Sequence, residues 1–179
     1  LLTFLRIHRS PMLKNILHLS FIFLAFLISN VQAQADYPNK PIRMIVGFPA
    51  GGSTDIVGRI VAQKLGERLG QSIIVDNRGG AGGTIGADLA SKASPDGYNI
   101  SIGTTSTHAV AAGAYSKLPY DPIKDFVPVA LLGTGTLCLV VPSNSSVNSL
   151  AEFLQMAKTS TQGVNYASPG NGTTQHLAM

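Results

Sequence analysis

A single cysteine, Cys138, in 179 residues rules out an intrachain disulfide. It lies within the apolar run of residues 137–141 and reads as a small buried hydrophobe rather than a reactive thiol. Histidine, cysteine and carboxylates nowhere fall at metal-ligand spacing, so neither a metal nor a cofactor is expected. Positive charge is scarce as well. Three of the 13 Lys and Arg (Arg6, Arg9 and Lys14) precede Gln34, which leaves ten against nine Asp and Glu and a balance of +1. There is no clustered basic face, and the five Tyr and seven Phe are scattered, so nucleic-acid binding is not expected. Nor is a membrane span expected in the apolar run 16–28: its 13 residues, His18 and Ser20 among them, fall short of the roughly 20 a span needs.

That run has another reading. Arg6, Arg9 and Lys14 form a basic stretch before it, and Val31-Gln32-Ala33 ends it with the small-residue pattern of a signal-peptide cleavage site. Residues 1–33 are therefore expected to be a signal peptide removed after Ala33. Met12-Leu13-Lys14 reads as a natural translation start, with residues 1–11 ahead of it. No cysteine directly follows Ala33, where Gln34 stands, which argues against a lipid anchor. The expected product is soluble and secreted.

What remains from residue 34 alternates between strand-like and helical patterns. Apolar, β-branched runs at 42–48, 73–76, 100–104, 127–132 and 137–141 read as strands. Between them, Ile56, Ile60 and Lys64, with Val57, Val61 and Leu65, recur at helical spacing and end at Gly70, a helix C-terminal glycine. A second helix is predicted over 84–92, closed by the turn Ser94-Pro95-Asp96-Gly97, and a third over 150–158, capped by Ser149 or Asn148. Such alternation implies βαβ units and a mostly parallel sheet, so the class is α/β. Residues 164–167 read as a further strand and 175–179 as a helix just starting, so the chain is expected to be an N-terminal fragment. A lobe boundary is expected near Val141-Pro142.

Chemistry is expected in four polar loops that follow strands, because open α/β sheets bind ligands beyond the carboxyl ends of their strands. The most informative is Phe48-Pro49-Ala50-Gly51-Gly52-Ser53-Thr54-Asp55, where a strand turns through glycines into a helix start. Backbone amides there lack intrahelical acceptors, and the helix dipole adds partial positive charge, so a carboxylate or phosphate is favoured. The other three are residues 77–84, 104–108 and 168–174. Arg78 would serve as a bidentate partner of a carboxylate or as a salt-bridge partner of Asp76 or Asp55. His108 and His176 read as structural hydrogen-bonding residues. Enzyme patterns fit poorly. Residues 80–86 miss a dinucleotide fingerprint by one position, no phosphate-loop lysine follows Gly51-Gly52, and the 51–55 segment lacks the last glycine of a nucleophile elbow. A hydrolase using Ser53 with His108 and Asp55 stays open as the alternative of a different class.

In order along the chain, Tyr37-Pro38-Asn39-Lys40-Pro41-Ile42-Arg43, the 48–55 loop, Asn77-Arg78-Gly79-Gly80-Ala81-Gly82-Gly83 and Ser94-Pro95-Asp96-Gly97-Tyr98 are joined by Leu118-Pro119-Tyr120-Asp121-Pro122, Lys124-Asp125-Phe126 and the 165–172 segment. Together these resemble the Bug-type extracytoplasmic solute-binding receptors of tripartite tricarboxylate transporters. The resemblance implies a periplasmic-binding-protein-like fold, two α/β lobes with mostly parallel sheets around a hinged cleft. Residues 34–141 would form the first lobe and 142–179 the start of the second. It implies no catalysis, but capture of a small carboxylate (a dicarboxylate, tricarboxylate, acidic amino acid or aromatic acid) in the periplasm and delivery to membrane permease subunits. A receptor feeding a sensor would look the same. Carried over by position, Phe48, Gly52, Ser53 and Thr54 would form an anion cradle ordered by Asp55. Gly82, Gly83, Thr105 and Thr107 would line the same lobe, and Ser168, Gly170, Asn171 and Thr173 would present the second lobe's helix N-terminus. Ala50 and Gly79 depart from the prolines frequent in the family, which would alter loop stiffness.

Overall fold

The computed structural model describes residues 37–179, and the predicted signal peptide lies outside the described residues. Three strands, β1 (Ile42–Val46), β2 (Ile73–Asn77) and β3 (Asn99–Ile102), form one parallel sheet in the order β2-β1-β3. Ile42 sits opposite Ile73 and Val46 opposite Asn77 on one side, and Met44 pairs with Ile100 on the other. The central position of β1 explains its composition. Ile42, Met44, Ile45 and Val46 are all buried, as a strand covered on both faces requires.

Helix α1 (Ser53–Leu69) crosses from β1 to β2, and α2 (Thr84–Ser91) follows a 3₁₀ turn at Ala81–Gly83 on the way to β3. Gly70 ends α1 in the left-handed conformation, φ 66°, as its position in the sequence predicts. The face α1 turns inward is built mainly from small residues. Asp55, Gly58 and Ala62 are its buried residues, with Val61 packed beside Met44, Val46 and Ala62, whereas Ile56, Val57 and Ile60 are exposed. Close approach decides this. A Cβ on Gly58 would stand 3.4 Å from Val46 and 3.5 Å from the Met44 sulfur, so small side chains let the helix backbone settle onto the sheet. On the opposite side, Gly86 of α2 meets Gly47 backbone to backbone, and a Cβ there would lie 2.6 Å from Gly47 Cα.

Residues 104–108 prove to be a helix start rather than a loop. A π-helical turn, Ser106–Val110, runs directly into α3 (Ala111–Ala114). Two further helices are α4 (Leu150–Thr159), capped by Ser149, whose hydroxyl accepts from Glu152 N, and α5 (Thr174–Leu177), capped by Thr173. The expected strands at 127–132, 137–141 and 164–167 are not formed. Pro128 removes a ladder donor from the first, and none of the three is paired in the sheet. Val129, Leu131 and Val140 are consequently exposed, and so is Cys138, against the expectation that it is buried.

Two of the sequence motifs serve the fold. Tyr98 Oη accepts from Asn39 N at 3.0 Å and donates to the Asn39 side chain, while Lys40 lies 4.2 Å over the Tyr98 ring and pairs with Asp96. The segment before β1 is thereby tied to the turn before β3. Arg43 and Arg78 both pair with Asp76, holding its carboxyl below the usual carboxylate range.

Candidate functional site

All three strands point their carboxyl ends the same way, so the segments that follow them gather at one edge of the sheet. The 48–55 loop is held there by Asp55. Its carboxylate accepts from Gly51 N at 2.8 Å, from the Asn77 amide at 3.0 Å and from Arg59 Nε at 3.0 Å, and Asn77 also donates to Phe48 O. These donors, Arg59 foremost, pull the Asp55 pKa down to about 2. Asp55 is 2% exposed. It therefore orders the loop from beneath instead of facing an anion.

With Asp55 so placed, Gly52 becomes the N-cap of α1, extended in backbone and with no side-chain hydrogen bond capping it. The first amides of a helix have no acceptor within the helix, and here they belong to Ser53, Thr54 and Asp55. The helical segment entered at Thr105 is capped instead by Thr104: Thr107 N donates to Thr104 Oγ1 at 3.3 Å and to Thr104 O, and His108 N donates to Thr104 O, so its first amides are already occupied. At α2, whose N-cap is Gly83, no side chain caps the start, although Thr84 N is taken by Ala81 O. Ser149 and Thr173, by contrast, do cap α4 and α5. The two helix starts left without a side-chain cap, at Gly52 and Gly83 on one sheet edge, are what an anion-binding surface made of backbone donors requires.

The glycines bring these starts together. Gly80, Ala81, Gly82 and Gly83 all have positive φ, a run that only near-absence of Cβ makes tolerable. A Cβ on Gly83 would lie 2.7 Å from the Thr107 methyl and 2.9 Å from the Phe48 ring, so Phe48, Gly83 and Thr107 meet. A Cβ on Gly82 would lie 2.7 Å from Asn171 O and 3.4 Å from the Thr173 methyl, and one on Gly170 3.4 Å from Gly82 N. The four loops singled out in the sequence thus converge through Gly82 and Gly83.

Not every expected residue presents its polar group outward. The Thr107 hydroxyl is engaged locally, with Thr104 N at 3.0 Å and His108 Nδ1 at 2.9 Å, and Tyr120 Oη donates to Thr107 O at 2.7 Å. His108 packs edge-on against Phe126, ring centroids 4.7 Å apart, and burial lowers its pKa. The Leu118–Phe126 motifs therefore buttress Thr107 from below. Thr173, fully buried, donates to Gly170 O and accepts from His176 N, while Thr174 N donates to Ser106 Oγ. Two first-turn amides of α5 are thus already occupied. Ser168 Oγ accepts from Gly170 N. Ser53, Thr105 and Asn171 are exposed. His176 bonds Tyr166 at 2.9 Å, a structural contact. Tyr115, which the sequence did not single out, donates its hydroxyl to both Ala81 O and Asn171 O.

A Ser53–His108–Asp55 triad is not assembled. The Asp55 carboxylate is bonded to Gly51, Asn77 and Arg59, and His108 Nδ1 to Thr107, so neither can orient the other. Among the described residues no group of three His, Cys, Asp or Glu could hold a metal ion.

Residues 57–179 match the family described as the tripartite tricarboxylate transporter family receptor. A Pseudomonas protein encoded in the tcbD-tcbE intergenic region is 41% identical over 162 residues, which are 89% of this chain and 48% of that protein. The chain spans about half the length of the curated relatives it matches. Among solved structures, the periplasmic binding protein BugD superposes with a TM-score of 0.67 at 33% identity, over 79% of this chain and 47% of BugD. MatC from Rhodopseudomonas palustris, solved with bound malate, gives a TM-score of 0.52 at 42% identity, over 54% of this chain and 33% of MatC. The sheet, the helices and these likenesses agree on a periplasmic-binding-protein fold, and the chain belongs to the tripartite tricarboxylate transporter receptor family, of the Bug type.

Proposed function

We propose that this chain forms the ligand-gathering part of a periplasmic receptor that captures a small carboxylate and delivers it to a membrane permease. The observation that carries the reading is the meeting of two helix starts without a side-chain cap, at Gly52 and Gly83, on one edge of a parallel sheet. Malate in MatC and membership of a tricarboxylate-transporter receptor family support carboxylate as the ligand class. The basic, apolar and small-residue sequence before Gln34 supports export. Residues 34–141 then act as the first lobe and 142–179 open the second. Phe48, Gly52, Ser53, Thr54, Gly82, Gly83, Thr105 and Thr107 contribute from the first, and Ser168, Gly170, Asn171 and Thr173 from the second. Asp55 works beneath the cradle.

Magnitudes fit this division. Micromolar affinity corresponds to about 8 kcal/mol. One helix terminus supplies roughly 0.3–1 kcal/mol, whereas charge-assisted hydrogen bonds supply about 1.5–3 kcal/mol each. A few convergent amides in a site dried by closure reach the required value, with no bond made or broken. A thermal-shift screen of the full-length protein against di- and tricarboxylates, acidic amino acids and aromatic acids tests the reading. Ligand at 100 times its Kd is expected to stabilise by about 2.7 kcal/mol. No shift with any acid, together with ester turnover that Ser53→Ala abolishes, would replace the receptor reading with a hydrolase.

A further inference from the structure

We propose that Tyr115 is a positioning residue of the ligand site, a clasp that joins the glycine turn at 80–83 to the 168–174 loop. The inference rests on the receptor reading, in which those two segments stand on either side of the ligand. Tyr115 terminates the helix that begins at Ser106, and its N–H donates to Ala111 O, which fixes the ring's departure from the helix. Its hydroxyl lies 3.0 Å from Ala81 O and 3.0 Å from Asn171 O. These partners are 34 and 56 residues away along the chain. The ring itself lies against Gly172, where a Cβ would come within 2.7 Å of Cε2, and a Cβ on Gly82 would stand 3.5 Å from the hydroxyl. Gly172 has φ 72° and Gly82 φ 65°. Both glycines therefore accommodate the tyrosine as well as their own backbone turns.

The hydroxyl has one proton and two carbonyl acceptors. When the loops are together the proton is shared, and when they part it stays with one carbonyl and remains satisfied. Tyr115 thus favours the joined arrangement by no more than an ordinary hydrogen bond, which suits a receptor that must also release its ligand. The other end of the same helical segment grips the same loop. Ser106 Oγ accepts from Thr174 N at 3.1 Å and lies 3.1 Å from Thr174 Oγ1. Residues 106–115 accordingly hold the 168–174 loop at two points, of which Tyr115 alone also reaches the glycine turn.

Tyr115→Phe in the full-length protein keeps the ring on Gly172 and removes only the hydroxyl. With malate as probe, the dissociation rate constant is expected to rise about three- to tenfold, the equivalent of one hydrogen bond. The association rate constant stays at its wild-type value. The melting temperature of the ligand-free protein falls by no more than about 2–4 °C, which one hydrogen bond accounts for and a general loss of structure would exceed. Amide hydrogen exchange supplies a second arm without ligand: residues 170–174 exchange faster in Tyr115→Phe than in wild type. Unchanged exchange overturns the clasp outright. Faster exchange with an unchanged dissociation rate overturns its coupling to the ligand. A wild-type protein that takes up neither malate nor any other acid of the panel removes the receptor reading and with it the ligand role of Tyr115, while the ligand-free exchange still decides whether the hydroxyl joins the loops.

Discussion

Gly83→Ala is expected to lose about 2–6 kcal/mol of folding stability, and with it the proposed ligand site. Two independent effects add. At φ 95° the backbone of residue 83 is one that a side chain tolerates poorly, at about 1–3 kcal/mol. The new methyl would also meet the Thr107 methyl at 2.7 Å and the Phe48 ring at 2.9 Å, an overpacking of about 1–3 kcal/mol. Neither neighbour can retreat easily. Thr107 is bonded to Thr104, His108 and Tyr120, and Phe48 O is held by Asn77. Chemical denaturation of the full-length protein measures the loss, and a variant as stable as wild type would show that the three residues do not meet as described.

Asp55→Asn is expected to weaken carboxylate binding at least about tenfold, on the scale of one charge-assisted bond that shapes the loop. The substitution removes the charge that Arg59, Gly51 and Asn77 share, and the loop ahead of α1 loses its anchor. Its pH signature separates it from other carboxylates. A carboxyl lowered from 3.8 to about 2 in the folded protein contributes stability that is complete above its unfolded value. That contribution is lost as pH falls from roughly 4 towards 2, where the folded form also takes up its proton. The neighbouring Asp76 keeps its own partners, Arg43 and Arg78, in both proteins. The gap in melting temperature between wild type and Asp55→Asn should therefore be widest above about pH 5 and close towards pH 2. A gap independent of pH would mean that the Asp55 charge is not what holds the loop.

Local chemistry explains what the sequence made legible. The three formed strands are β-branched runs bounded by turn residues, and Gly70 stands where a helix must end in the left-handed region. The four loops were recognisable because glycine and hydroxyl residues follow each strand, and pairing of the strands in parallel then brings them to one edge. Partnership is less legible than propensity. Residues 127–132 and 137–141 have strand composition, yet a strand exists only where another backbone pairs with it. The inward face of α1 is hard to read from sequence for a related reason. Large apolar residues suggest a core face, but contact with a parallel sheet here selects Gly58 and Ala62, whose smallness permits the approach. Residues 104–108 carry the hydroxyl-rich composition of a loop, yet Ala109, Ala111, Ala112 and Ala114 follow at helix-favouring positions and the helix starts within them. Tyr115 left no local trace at all, because both of its carbonyl partners are remote in sequence.

Hydrogen exchange of backbone amides, resolved by residue in the full-length protein with and without its most stabilising carboxylate, tests the central claim most directly. The account predicts ligand-dependent protection at Ser53, Thr54 and Asp55 and at the first turn of α2 after Gly83. A carboxylate that stabilises the protein while leaving all of these amides unchanged would contradict it, since the anion would then be held somewhere other than at the converging helix starts.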